Sequence, residues 1–499
     1  MSQDWMVDWA DNPIFVKHLR SRLRRQPLVS ALVITLVLCL CIMWGGYELD
    51  GFKNGGVFGT LLAMQSVILG LMGASQVGTA VSSARASGIM DFHRVSPLTP
   101  AELVLGFFFG APVREYFLFA VTLPFSLACV VFGTPDFRGF LQVMVLLVVV
   151  SWVLHGLALL NALVMKRQVG GRGAVGLIIF LAMIGGNLFT TFGNVANRLE
   201  NDPRLEFYGV SLPWLAVVLL YLVPLLFFIY LASRRKMDSE RIHPFSKPQG
   251  IAALATLGLL LVGGIWSLID AEPLAIAVLY LMVLIGIVLA AMVTPNQAEY
   301  YKGLWRAHKL GLSRLSYWND FALNRVFLAV ACAVVLTTAS AAWGRLRGDS
   351  SWDMAGTVRR AYPLAIATGV MIVAYHGLAV QYFLLRFGRR GTNYLTLFLF
   401  LVWVVPLVAG TIVAMADYQS AGRSQAVFAI SPIAGLGLTA GTATSTAESD
   451  FMMVAGAALT PSLFFAFVFN TLVTTAQRRV RKAVLMAIEK AKQGPEALA

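Results

Sequence analysis

Charge is scarce in this sequence. Of its 499 residues 13% are Asp, Glu, Lys or Arg, against about 25% in an average soluble chain, and 58% are hydrophobic. That shortage excludes a cytosolic enzyme, a disordered chain and a nucleic-acid reader. Cysteine is scarce too: Cys39, Cys41, Cys129 and Cys332 all lie in apolar runs, where a thiol behaves as a small hydrophobe, so no disulfide framework and no zinc spacing is present. None of the ten lysines follows a glycine. A phosphate-binding loop needs Gly-Lys before Ser or Thr, so this chain has no P-loop of its own, and no cofactor is expected in it. Gly-x-Ser-x-Gly and His-Glu-x-x-His are also missing, leaving no catalytic residue and no metal site to name. The string Gly435-Leu-Gly-Leu-Thr-Ala-Gly441 has the wrong spacing for a dinucleotide fingerprint.

What is present is a series of apolar runs of about 20 residues, the length that crosses a hydrocarbon core. Twelve are expected, over 28–47, 57–81, 114–131, 140–165, 174–192, 212–232, 251–268, 274–293, 325–343, 362–385, 394–415 and 454–474. With the N-terminus cytoplasmic, 28 of the 39 Lys and Arg fall in inside segments and 9 outside, which is the positive-inside pattern. The net charge of +14 is therefore a topology signal, and most basic clusters anchor helices on anionic lipid. Arg345, Arg347, Arg359 and Arg360 run against it: either their outside loop is structured or a nearby span is misplaced. The first apolar run begins only at Leu28 and lacks a cleavage pattern, so it is expected to remain as a span. None of the 25 carboxylates is placed mid-span; Glu115, Asp320 and Asp417 sit at or beyond span ends. Carriers driven by ion gradients usually rely on intramembrane carboxylates.

The chain also carries a long repeat. Val153-Leu-His-Gly-Leu-Ala158 in the fourth span matches Ala374-Tyr-His-Gly-Leu-Ala379 in the tenth, and a basic, Gly-containing turn follows each. Long loops before Arg114 and Arg325 correspond as well. Six spans per half give parallel repeats about an axis normal to the membrane. The expected organisation is an all-α polytopic membrane protein with an amphipathic helix (1–27), a first six-span domain (28–232), a linker (233–250), a second six-span domain (251–474) and a basic tail (475–499). His155 and His376 sit within spans, where a polar ring needs a partner. They either hold helices together by hydrogen bonds or line a polar path.

Two further elements look mechanical. Asn12-Pro-Ile-Phe-Val-Lys-His-Leu-Arg20 has an Asn cap and Pro at the first helical position, with Phe15, Leu19 and Leu23 on one face, as in an interfacial helix. After the second span, Gly88-Ile-Met-Asp-Phe-His-Arg-Val-Ser-Pro-Leu-Thr-Pro-Ala-Glu-Leu103 places a short helix between Gly88 and Pro97. A capping box at Thr99 and Glu102 then starts another helix.

With Gly106 added, that loop resembles the membrane subunit of an ABC-2 type transporter. The likeness is clear over the first half. In the second, Tyr300-Tyr-Lys-Gly-Leu-Trp-Arg-Ala-His-Lys309 keeps the place but not the Pro-Leu-Thr-Pro. The resemblance implies a permease, usually an exporter, of the bacterial inner membrane with both termini cytoplasmic. Its ATP would be hydrolysed by a separate cytoplasmic ATPase dimer; the other expected partners of the chain are membrane lipids and further membrane or periplasmic subunits. It also implies an ATPase-coupling surface at Asp91, Phe92, His93, Arg94, Ser96, Pro97 and Leu98, answered in the second half by Arg306, His308 and Lys309. The alternatives are an ion-driven carrier and a non-transporting membrane scaffold or membrane-embedded enzyme.

Overall fold

The structure is a computed structural model that describes residues 12–50, 56–132, 136–164, 204–240, 242–265, 271–312, 315–347, 356–416, 421–441 and 448–492. It is an all-α polytopic membrane protein, with eleven helices long and apolar enough to cross a membrane among the described residues. These correspond to eleven of the twelve expected spans. The remaining one, 174–192, lies outside the described residues, as does the basic turn at 166–172.

The chain divides into two compact units: Met1–Leu205 with Ser211–Pro244, and Glu206–Val210 with Phe245–Ala499. The first unit begins with α1 (Pro13–Arg22), α2 (Arg25–Asp50) and α3 (Gly56–Gln65), then a π-helical stretch (Ser66–Met72) that runs directly into α4 (Gly73–Ala86). Next come α5 (Ile89–Val95), α6 (Pro100–Gly110), α7 (Val113–Val131) and α8 (Phe137–Val164). A hairpin of β1 (Arg204–Phe207) and β2 (Val210–Pro213), whose Glu206–Val210 tip is grouped with the second unit, precedes α9 (Trp214–Asp238) of the first. The fourth span, α8, is the central helix of this unit and packs on both α4 and α9.

The second unit contains α10 (Lys247–Ile265), α11 (Ala271–Val293), α12 (Gln297–Lys309), α13 (Arg325–Arg347) and α14 (Gly356–Phe387). It continues with α15 (Gly391–Trp403), α16 (Val405–Ala416), α17 (Ala421–Ala429), α18 (Pro432–Gly441) and α19 (Glu448–Lys492). Here α14 is central, packed chiefly on α19 and also on α11 and α13.

Several boundaries differ from those expected, each for a local reason. The helix α1 does not leave its apolar face to lipid: α6 covers it. Gly106 and Gly110 stand one turn apart, so the backbones can approach, and a Cβ on Gly106 would lie 2.7 Å from Ile14. Asn12 caps α1 through Oδ1 and donates from Nδ2 to the Glu102 carbonyl at 2.9 Å. The expected linker shrinks to the residues between α9 and α10. The expected basic tail is largely helix, because Ala476, Val480, Val484 and Ile488 repeat every four residues and pack with Tyr300 of α12, Leu323 and Leu385. Arg345 and Arg347 fall in the last turns of α13 and Arg359 and Arg360 in the first turns of α14, so the basic residues at odds with the charge rule are in helix ends.

The eleventh span is broken between α15 and α16. Pro406 has no N–H and its ring crowds the preceding turn, so the ladder fails near Val404. The Trp403 carbonyl freed there accepts from Ser431 Oγ at 2.8 Å. Ser431 belongs to the bend between α17 and α18. At about 1.5 Å per residue these two helices, of 9 and 10 residues, are each too short to cross a bilayer. They form a hairpin packed on neighbouring helices, with Ala429, Ser431 and Leu436 buried and Ile430 at the bend exposed. The Gly435–Gly441 string is helix α18, and Gly435 lets it come close to the Ala429 carbonyl. Among the described residues the only strands are β1 and β2, turned by Tyr208 and Gly209 at positive φ (51° and 76°), the signature of a type I′ hairpin.

Replacing Gly106 by Leu overpacks the α1–α6 contact at a cost of about 1–3 kcal/mol. The expected outcome is faster tryptic cleavage at Lys17 and Arg20 with the membrane bundle still folded; an unchanged cleavage rate contradicts the docking of α1 on α6.

Candidate functional sites

The loop between the second and third spans is a built element. Gly88 takes a left-handed conformation (φ 74°) that ends α4 and starts α5. Ser96 is extended, as a residue before proline prefers, and donates from Oγ to the His93 carbonyl at 2.7 Å. Thr99 and Glu102 then close the expected capping box at the head of α6.

Within α5 the side chains divide by face. Met90 and His93 point inward and are buried. The Arg94 guanidinium, only 15% exposed, pairs with Asp91 at 2.8 Å and donates to the carbonyls of Met237 (3.1 Å) and Lys236 (3.3 Å). Those carbonyls end α9, so Arg94 straps the loop to the sixth span, a placement that the helix dipole favours. Outward point Asp91, Phe92, Val95 and Pro97, with Phe92 68% and Val95 83% exposed. Leu98 is half-buried against the core below. Of the sequence-derived coupling residues, then, Asp91, Phe92 and Pro97 are exposed, whereas His93, Arg94, Ser96 and Leu98 hold the element in place. Arg85 strengthens the same corner by bonding the Ala162 carbonyl (2.6 Å) and Glu240 (2.5 Å).

His18 of α1 lies against Phe107 at 5.4 Å between ring centroids. Burial, then the positive charges of Arg22 and Lys17 and the nearby His93, lower its pKa from 6.5 to about 4. His93 is also lowered, by burial first and then by Lys17.

The second half answers with α12. Asn296 and Glu299 form a capping box, Tyr300, Gly303 and Ala307 face inward, and Gly311 (φ 72°) ends the helix with Leu312 N–H bonded to the Ala307 carbonyl at 2.8 Å, the usual use of glycine at a C-terminus. Arg306 lies over the Phe321 ring at 5.5 Å, while His308 and Lys309 are exposed. The loop beyond exposes Leu310, Leu312, Tyr317 and Trp318, large apolar side chains that the motif comparison passed over.

The two span histidines are in different units and solve their polar problem differently. His155 Nε2 donates to the Leu69 carbonyl at 2.8 Å, leaving Nδ1 to accept from Tyr116 Oη at 3.3 Å. Leu69 belongs to the π-helical stretch, whose wide turn releases a carbonyl. Gly73 leaves room for the ring, since a Cβ there would clash with it. His376 has the opposite tautomer: Nδ1 donates to the Ile372 carbonyl and Nε2 accepts from Trp403 Nε1, both at 2.8 Å. An indole N–H can only donate, which fixes that assignment. Both nitrogens of each ring are used: the His376 Nδ1 bond stays within α14, and the other three join helix segments.

One polar cluster has no sequence signal. Gln65, Thr122 and Ser126 are fully buried, and Gln65 Nε2 donates to both hydroxyls at 2.9 and 2.8 Å. Gln65 Oε1, Ser151 Oγ and Glu115 Oε2 find no partner among the described residues. Glu115 is in the first turn of α7, fully buried and paired with Arg114 at 2.8 Å; its burial could not be inferred from its place at a span edge.

Comparison of the chain with protein-family profiles, with curated proteins and with solved structures gives no match.

Two measurements follow from this geometry. A histidine held below its ordinary pKa takes up a proton more readily when α1 is undocked, so His18 supports docking fully above pH 6.5 and loses that support as pH falls towards about 4. Amide exchange of residues 13–22, corrected for intrinsic rate, should therefore rise between pH 6.5 and 4, and this rise should shrink in His18→Phe; equal protection at pH 7 and pH 4.5 contradicts it. His155→Leu strands the Leu69 carbonyl and should cost about 1–3 kcal/mol, read as a lower Tm in detergent. An unchanged Tm refutes the joining role.

Proposed function

We propose that this chain is the membrane subunit of an ABC-2 type, ATP-driven transporter, an exporter of the bacterial inner membrane whose ATP is hydrolysed by separate cytoplasmic subunits. One observation carries the reading. At a basic end of the first unit, α5 is bracketed by Gly88 and Pro97, strapped to α9 by Arg94, and shows Phe92 and Val95 to solvent. Exposed aromatic and aliphatic side chains on a rigid support are what an interface anchor needs. The Gly88-to-Gly106 motif, the positive-inside distribution of Lys and Arg and the missing Gly-Lys pair agree with it. In this reading the two units are parallel repeats in one chain, both termini are cytoplasmic, and α5 and the loop after α12 are the points where the ATPase dimer pushes.

Glu115 favours a second reading. A buried carboxylate with a free oxygen at the head of the third span suits an ion-driven carrier; flux in liposomes that follows a proton or sodium gradient without ATP, and is lost in Glu115→Gln, would support that reading over the first.

Replacing Phe92 and Val95 together by Asp tests the main proposal. Both side chains are exposed, so the fold and its Tm should be retained. The ATPase that co-purifies with the wild-type chain should be captured at least about tenfold less, as expected for loss of two interface anchors at about 1–2 kcal/mol each. Undiminished capture by the folded variant contradicts the docking role.

A further inference from the structure

We infer that Lys247 is a positioning residue that locks the loop between α12 and α13 to the head of the seventh span. Lys247 is the first residue of α10 and is fully buried. A cation at a helix N-terminus opposes the helix dipole, and a buried ammonium without partners is strongly unfavourable, so its placement needs a specific compensation. The loop supplies one. Nζ donates to the backbone carbonyls of Tyr317 (3.1 Å), Asn319 (2.8 Å) and Ala322 (2.7 Å), with the Leu323 carbonyl at 3.4 Å. Asp320 adds an attractive negative charge. Four carbonyls of one short segment thus converge on a single ammonium carried by another helix.

That segment includes Tyr317 and Trp318, both exposed, and follows Leu310 and Leu312. It lacks the Pro-Leu-Thr-Pro of the corresponding loop of the first unit and is shaped by turns of its own: Asn319 N–H bonds the Ser316 carbonyl and Ala322 N–H the Asn319 carbonyl, both at 3.0 Å, and Phe321 N–H bonds Asn319 Oδ1 at 2.9 Å. Lys247 ties these turns to α10 from outside the loop. The second half therefore reaches by a buried charge what the first half reaches by a proline motif and Arg94. The consequence rests on the proposed ATPase coupling: a push on the Leu310–Trp318 rim is passed to α10 as well as to α13, which follows the loop in sequence.

The test separates the tether from the coupling. In Lys247→Met, which keeps the length of the side chain and removes the charge, amide exchange over 315–324 should rise on the order of tenfold while exchange in α14 and α19 stays unchanged. Added potassium, which suits a ring of carbonyl oxygens, should restore protection in Lys247→Ala and have no effect on the wild type. Asp320→Asn should loosen the same segment in the same direction by a smaller factor, and it remains informative if the Lys247 variants misfold. Unchanged exchange of 315–324 in Lys247→Met, or in Asp320→Asn where the Lys247 variants misfold, overturns the tether. If the segment loosens but ATPase stimulation by the co-purifying subunit is unaffected, the tether stands and its role in coupling fails. If no ATPase co-purifies with the wild type, the proposed function fails, and the exchange data still decide the tether.

Discussion

A carbonyl released at a helix end or irregularity and shut off from water, by hydrocarbon or by packed protein, has to be met by a donor from within the chain. Much of the detail in this molecule follows from that pairing. The π-helical stretch releases Leu69 to His155, the break ahead of Pro406 releases Trp403 to Ser431, and the end of α8 gives Ala162 to Arg85. The end of α9 gives Lys236 and Met237 to Arg94, and the loop before α13 gives four carbonyls to Lys247. In each case a side chain from one element closes the backbone of another. Helices that apolar packing alone would leave free to slide are thereby fixed in register.

The same rule separates what is held from what is offered. Within the bundles the donors are neutral, from His, Ser, Gln and Trp, and their hydrogen bonds are short and internal. At the basic ends the donors are Arg and Lys, and the elements they hold carry exposed Phe92, Val95, Leu310, Leu312, Tyr317 and Trp318. Side chains of that size are exposed throughout the lipid-facing surface of a membrane protein without special meaning. On short helices and loops between spans they lie beyond the apolar runs on rigidly held elements, which is why the proposed function places its ATPase contacts there. Asp91 in the first unit and His308 and Lys309 in the second are also exposed.

The sequence disclosed the fold through two strong signals, apolar run length and the placement of Lys and Arg, and eleven of the expected spans are helices as a result. It disclosed α5 and α6 through Gly88, Pro97 and the Thr99–Glu102 box, because conformational needs at turns and caps are local. It did not disclose the hairpin of α17 and α18. Ala421–Gly441 is apolar but interrupted at Ser431, and only packing on α11, α14, α16 and α19 makes a half-length helix pair stable. The β1–β2 turn was hidden because Tyr208 is a poor predictor of positive φ. Lys247 read as one more basic residue of a linker, since nothing local reveals four carbonyls from a loop 70 residues away. The paired His-Gly-Leu-Ala segments were visible, yet their opposite tautomers depend on the Leu69 carbonyl and on Trp403, which lie in other helical segments.

In the proposed function, ATP turnover in a partner drives this chain. The most direct measurement is ATP hydrolysis by the complex purified on this chain and reconstituted in proteoliposomes, compared with the ATPase subunit alone. On that proposal a soluble ATPase should co-purify, with turnover several-fold faster when the chain is present. A chain that purifies without any ATPase, and moves its cargo down an ion gradient instead, contradicts it.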